Sequence, residues 1–99
     1  MDDNRKTIVV KRVQFALGQV YMTQGTKAEI PEKEIGEALY RHSICDWGDC
    51  TPDDWKENDF SVDKHLRLFS VYHSSDGTKF WIITEANRSA TTVLLPDEY

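Results

Sequence analysis

The 99 residues of this chain suffice for one small domain with a modest hydrophobic core. Apolar residues make up 39% of the chain and aromatic residues 11%, which excludes a chain that is disordered by composition. No apolar run approaches the roughly 18 residues that a membrane span requires, and no signal peptide is visible. We therefore expect a single cytoplasmic domain over residues 1–99, without a membrane partner.

Charge is unevenly distributed along the chain, whose formal net charge is −5. Residues 1–27 hold five basic and two acidic residues (+3), residues 28–65 four basic and eleven acidic (−7), and residues 66–99 three basic and four acidic (−1). Because acidic surfaces repel phosphates, this balance argues against direct nucleic-acid binding. The acidic middle has two interpretations, the solvated outer faces of helices or a surface that binds a partner.

The N-terminal part predicts a polar arm followed by a strand region. Residues 1–6 are polar, and we expect a mobile arm there. Residues 7–23 are rich in Ile, Val, Phe and Tyr, which favours one long strand or two short strands broken near Gly18.

The middle of the chain, residues 31–60, predicts a helical and acidic segment. A first helix is expected over Pro31–Ser43, with proline at its first position and one apolar face at helical spacing, formed by Ile35, Ala38, Leu39 and His42. The sequence CDWGDC at 45–50 predicts a loop that turns at Gly48.

A second, shorter helix follows that loop. Thr51 is placed to cap its N-terminus, and Pro52 suits its first position. We expect this helix to end near Asp59, with Trp55 as its anchor in the core.

From residue 66 to residue 95 the pattern changes to β-structure. Three strands are predicted over 66–73, 78–85 and 90–95, joined by turns at 74–77 and 86–89. The predicted fold class is therefore α+β, an antiparallel sheet ending in a three-stranded meander with two short helices packed on one face.

The middle strand of this meander is too apolar to lie at an edge of the sheet. Within it, Phe80 and Trp81 must point to opposite faces, so one of the two rings leaves the main core. That ring marks a binding surface if it is exposed, or a second small cluster if it is covered.

Three sequence blocks resemble a family of small bacterial proteins described as plasmid-related. They are DWGD at 46–49, WIITEANRS at 81–89 and LLPDEY at 94–99, and the resemblance covers residues 17–99. It implies a mobile-element or accessory-gene setting and no particular activity. The family usually has Asp after T-E-A, where this chain has Asn87.

One candidate site combines the DWGD loop with the turn after the middle strand. If the two segments meet, Asp46, Asp49 and Glu85 form an acidic cluster beside Arg88, with Trp47 next to them for binding. Paired carboxylates can share a proton or hold a divalent cation, and arginine can clamp a phosphate. The alternative is structural, with aspartates capping turns and Arg88 paired to Glu85.

A second and weaker candidate is a zinc or thiol site. His42, Cys45 and Cys50 provide three metal ligands within nine residues, and His65 or His73 is available as a fourth. His42 could instead activate either thiol as a nucleophile. The simpler interpretation treats both cysteines as reduced, buried, small apolar residues, and we expect neither a metal nor a cofactor.

Sequence motifs of catalysis are absent, including phosphate-binding glycine loops and the H-E-x-x-H pattern. We therefore favour a small non-enzymatic protein-binding accessory factor of a plasmid or phage. In one version its acidic surface interferes with a host system that handles nucleic acids. Two alternatives stay open, a small hydrolase or nuclease-like toxin that uses the Asp/Glu/Arg cluster, and a structural subunit that oligomerises through its sheet.

Overall fold

The computed structural model describes residues 12–99, and it confirms the predicted α+β class. The predicted arm at 1–6 and the first part of the predicted strand region, 7–11, lie outside the described residues. In chain order the elements are β1 (Gln19–Met22), α1 (Gln24–Glu29), α2 (Glu32–Ser43), α3 (Pro52–Lys64), β2 (Leu68–His73), β3 (Lys79–Thr84), β4 (Ala90–Leu94) and a 3-10 turn (Pro96–Glu98).

The four described strands form one sheet in the order β1-β4-β3-β2. β2, β3 and β4 pair antiparallel, as the predicted meander requires, and β3 lies inside the sheet as its apolar sequence demands. β1, however, pairs parallel with β4, so the sheet is mixed. A long helical connection can return a chain in either direction, whereas the short turns of the meander permit only antiparallel pairing.

The helices differ from the prediction mainly at their ends. Pro31, predicted as the first residue of α2, lies one position before it at the N-cap, without a side-chain capping bond. In α3, the Thr51 hydroxyl accepts a hydrogen bond from the amide of Asp54 at 3.1 Å, as a side-chain cap should. That helix continues past Asp59 to Lys64, where His65 turns the backbone into the left-handed region with φ 55°.

Helix α1 was not predicted from the sequence. Its six residues are too few to show a helical period. It is held by the tertiary structure, because the Thr26 hydroxyl donates to the carbonyl of Val93 at 3.2 Å and the Glu98 carboxylate accepts from the amide of Gly25 at 3.0 Å.

Helices α2 and α3 contribute to two hydrophobic clusters, both built on one face of the sheet. The first joins Ile35 and Ala38 of α2 to Phe80 and Ile82. The second surrounds Trp47 and Leu68 and receives Trp55 and Val62 from α3. Leu68 of β2 lies on the same face of the sheet as Phe80 and Ile82.

The outer edge of β2, which has no neighbouring strand in the sheet that the described residues form, is covered by side-chain and loop contacts. The Asn58 side chain of α3 donates to the carbonyl of Phe69 at 2.7 Å and accepts from its amide at 3.0 Å. Next to it, Gly48 forms a parallel β-bridge with Val71. A β-carbon on Gly48 would lie 2.1 Å from the carbonyl oxygen of Val71, so glycine is required at this approach.

We call the other face of the sheet the open face. Successive side chains of every strand point alternately to this face and to the helix-bearing face. Trp81 lies on it and is half-buried, whereas Phe80 is buried on the helix side with 1% of its surface exposed. The prediction that the two rings point to opposite faces is confirmed. Across residues 12–99 no helix combines the length and the apolar character needed to cross a bilayer.

Candidate binding site

The structure does not bring together the four charged residues predicted to form an acidic site. Asp49 accepts from Nδ1 of His73, the last residue of β2, at 2.7 Å. Glu85 lies 3.7 Å from Nε of Arg67, and Arg67 directly precedes the first residue of β2. The two ion pairs are therefore separated by about the length of β2, roughly 16–20 Å. The predicted convergence is wrong, because the DWGD loop runs beside β2 toward its far end.

Asp46 and Trp47 are held in place by contacts within the fold. Asp46 accepts from Nε and Nη2 of Arg41 at 2.8 and 3.1 Å, and this hydrogen bonding raises the pKa of Arg41. Trp47 has none of its surface exposed, and its indole Nε1 donates to Asp59 at 2.9 Å. A fully buried ring offers no binding surface, so the predicted binding role of Trp47 has no geometric support.

Arg88 binds backbone carbonyls, and within residues 12–99 it makes no pair with a carboxylate. Its Nη1 donates to the carbonyl of Leu66 at 2.7 Å and also to the carbonyls of Glu85 and Ala86. Its Nη2 donates to the carbonyl of Ser61 at 3.2 Å, near the end of α3. Burial lowers the pKa of Arg88. The guanidinium therefore fastens the last turn of α3 to the β3–β4 turn.

His42, the first member of the predicted zinc set, is fully buried under the sheet. Its Nδ1 lies 2.5 Å from the Ser70 hydroxyl and its Nε2 lies 2.8 Å from the Thr84 hydroxyl. Both ring nitrogens are thus occupied, and burial lowers the pKa of His42 to about 3. Over residues 12–99 no three His, Cys, Asp or Glu side chains are arranged to hold a metal ion.

The two cysteines are half-buried free thiols beside the second hydrophobic cluster. Burial raises the pKa of Cys45 to about 11 and also raises the pKa of Cys50. Because the thiolate is the nucleophile, these environments work against nucleophilic catalysis at neutral pH. They agree with the interpretation of both residues as small apolar side chains.

The open face carries an apolar groove that the sequence only partly predicts. It has a volume of about 340 Å³ and is lined by Arg67, Phe69, Trp81, Ile83 and Tyr99. We call these five residues the aromatic groove. The alternation of β3 predicted an aromatic residue on this face, but Arg67 and Tyr99 reach it from outside the strands and carried no sequence signal.

The rings of the aromatic groove are ordered by edge-to-face contacts. The ring centroids of Phe69 and Trp81 are 4.9 Å apart at an interplanar angle of 72°, and those of Trp81 and Tyr99 are 5.8 Å apart at 70°. The Arg67 guanidinium lies 5.7 Å from the Tyr99 ring centre, and its Nη1 donates to the Tyr99 hydroxyl at 3.0 Å. Tyr99 keeps 70% of its surface exposed, so the groove opens to solvent.

No protein-family model, no curated protein and no solved structure matches this chain.

Proposed function

We propose that this protein is a non-enzymatic protein-binding module that receives its partner in the aromatic groove of the open face. The observation that carries the proposal is the combination of Trp81, Phe69 and Tyr99 with Arg67 in one solvent-open groove. Tryptophan, tyrosine and arginine are the residue types that dominate binding energy at protein interfaces. A groove of this volume accommodates one or two large side chains of a partner.

The rigidity of the groove supports the proposal. Its floor is β3, an internal strand paired on both sides, and its rings are fixed by mutual contacts. A site that is ordered before binding loses little conformational entropy when the partner arrives. Ile83 at its base is 4% exposed, so the floor of the groove is apolar and already packed.

The other hypotheses receive less support from the geometry. A hydrolase or nuclease-like toxin would need neighbouring carboxylates, but Asp49 and Glu85 lie at opposite ends of β2. The plasmid or phage setting follows from the family resemblance alone. Interference with a nucleic-acid-handling host system would use the acidic surface of α3, where Asp53 and Asp54 are exposed, in addition to the groove.

The test is affinity capture by the immobilised full chain from extracts of a bacterium that carries the gene. We expect a protein that the parent retains and the Trp81→Ala variant loses. Phe60→Ala is the matched control, because Phe60 is an aromatic residue of α3 with 54% of its surface exposed.

The captured protein is then purified and titrated against each folded variant by calorimetry. Truncating a central aromatic anchor should weaken binding by about 2 kcal/mol or more, roughly thirtyfold. If Trp81→Ala binds the partner as tightly as Phe60→Ala does, the groove is not the binding site and the proposal is refuted.

A further inference from the structure

The open face differs in charge from the rest of the molecule. The chain carries a net charge of −5, yet strand alternation places Lys79 on this face beside Trp81, and Arg67 lines the groove. Two acidic residues lie near them. Asp49 pairs with His73, the cross-strand neighbour of Lys79. Glu85 is 3.7 Å from Arg67 in a pair whose side chains are about half exposed. Such a pair is weak in water, so Arg67 is available to a ligand.

Lys79 is the freer of the two cations. Its side chain is exposed, and no side chain in residues 12–99 forms an ion pair or hydrogen bond with its ammonium group. Because Lys79 pairs in register with His73, it lies six residues along the sheet from Arg67, or about 20 Å. The aromatic groove lies between these two positive groups.

We infer, resting on the proposed function, that the partner of the aromatic groove is an acidic peptide segment. It presents large apolar side chains to Trp81 and places carboxylates near Lys79 and Arg67. In an extended conformation about six residues cover the distance between the two cations. The apolar residues supply the affinity, and the flanking acids supply orientation and rapid association.

Charge also separates this partner from two others. A second copy of the chain packed face to face offers the two cations only acids that are already paired, Glu85 with Arg67 and Asp49 with His73. A single-stranded nucleic acid could stack on the rings, but it would meet the long-range field of an acidic protein. Both are carried into the test as competing outcomes.

The test uses three synthetic peptides of about ten residues, long enough to span both cations. Each has phenylalanine and leucine at its centre, flanked by glutamate in the first peptide, glutamine in the second and lysine in the third. Binding to the full chain is followed by NMR through the indole N–H of Trp81 and the backbone amides of β3. A short oligothymidylate is titrated in parallel, and protein alone is measured at two concentrations.

We expect the glutamate peptide to bind most tightly and the lysine peptide least, with the difference shrinking as salt rises. Lys79→Glu should weaken the glutamate peptide by about 3- to 10-fold and strengthen the lysine peptide. Lys56→Glu on α3 is the control, because it makes the same charge change at an exposed site on another element and should leave the preference unchanged.

The outcomes distinguish this inference from the proposed function. Equal binding of all three peptides at Trp81 overturns the acidic partner while leaving the groove as a binding site. Tighter binding of the lysine peptide or of the oligothymidylate, concentration-dependent self-association through Trp81, or no peptide binding at all also overturns it. The proposed function fails separately, when the captured partner binds the Trp81→Ala variant as tightly as it binds the Phe60→Ala control.

Discussion

The imidazole of His42 donates its Nε2 proton to the hydroxyl of Thr84, 2.8 Å away in the core. The direction of this hydrogen bond follows from the other end of the hydrogen-bond network, where the Thr91 hydroxyl donates to the carbonyl of Leu17 at 2.7 Å. Thr91 must then accept from Thr84, and Thr84 from His42. Nδ1 of the neutral ring accepts in turn from Ser70.

This network makes stability depend on pH through His42. Its folded pKa of about 3 lies below the ordinary value of 6.5, so between these values the unfolded chain binds one more proton than the folded chain. Stability is therefore full above pH 6.5 and falls by about 1.4 kcal/mol per pH unit as the pH drops through this window.

Urea unfolding at several pH values between 7 and 5 measures this slope. The carboxylates of Asp76 and Glu98, whose pKa values are lowered by hydrogen bonds, add their own loss only below about pH 4.5. His42→Gln should be less stable at pH 7 and should lose this slope. A parent protein equally stable at pH 7 and pH 5 would contradict the buried neutral ring.

Arg88 should matter for stability through the carbonyls that it binds. Arg88→Ala leaves the end of α3 and the β3–β4 turn without their common donor, and we expect a loss of about 2–3 kcal/mol in unfolding free energy. Asp49→Asn is the control, because its exposed pair with His73 should contribute no more than about 1 kcal/mol. Similar stability of the two variants in urea melts would show that Arg88 is not a structural clamp.

Asn58 should be needed to close the edge of β2. Asn58→Ala removes both hydrogen bonds to the backbone of Phe69, and the expected cost is about 2–3 kcal/mol. Asn87→Ala provides the matched control, since Asn87 is exposed and accepts one bond from Ser89 within its own turn. Amide hydrogen exchange should show lost protection at Phe69 in the first variant alone, and unchanged protection there would exclude the edge role.

The strands of the meander should be the centre of stability. Val93 in β4 has none of its surface exposed, whereas Val20 in the edge strand β1 is half-buried. Val93→Ala should therefore cost about 2–3 kcal/mol, and Val20→Ala less than half of that. Chemical denaturation of the two variants compares the free energy lost by the same substitution at a buried and at a half-buried position. Equal losses would place the stability centre elsewhere.

Much of the fold could be predicted from local sequence because local chemistry determines it. Thr51 and Pro52 specify the start of α3, the apolar spacing from Ile35 to His42 specifies the buried face of α2, and the turn at Gly77 specifies a hairpin. The opposite orientation of Phe80 and Trp81 likewise follows from the two-residue period of a strand.

The tertiary structure alone decided which distant residues meet. Asp49 and Glu85 carry the same chemistry in any arrangement, and only the path of the DWGD loop along β2 puts them at opposite ends. The sequence offered Arg88 as a ligand clamp or as a structural partner of Glu85, but the carbonyls of α3 that it binds come within its reach in space and not in sequence. Tyr99 reaches the groove for the same reason, because contacts between residues far apart in the chain depend on the packing of whole elements, which no local pattern encodes.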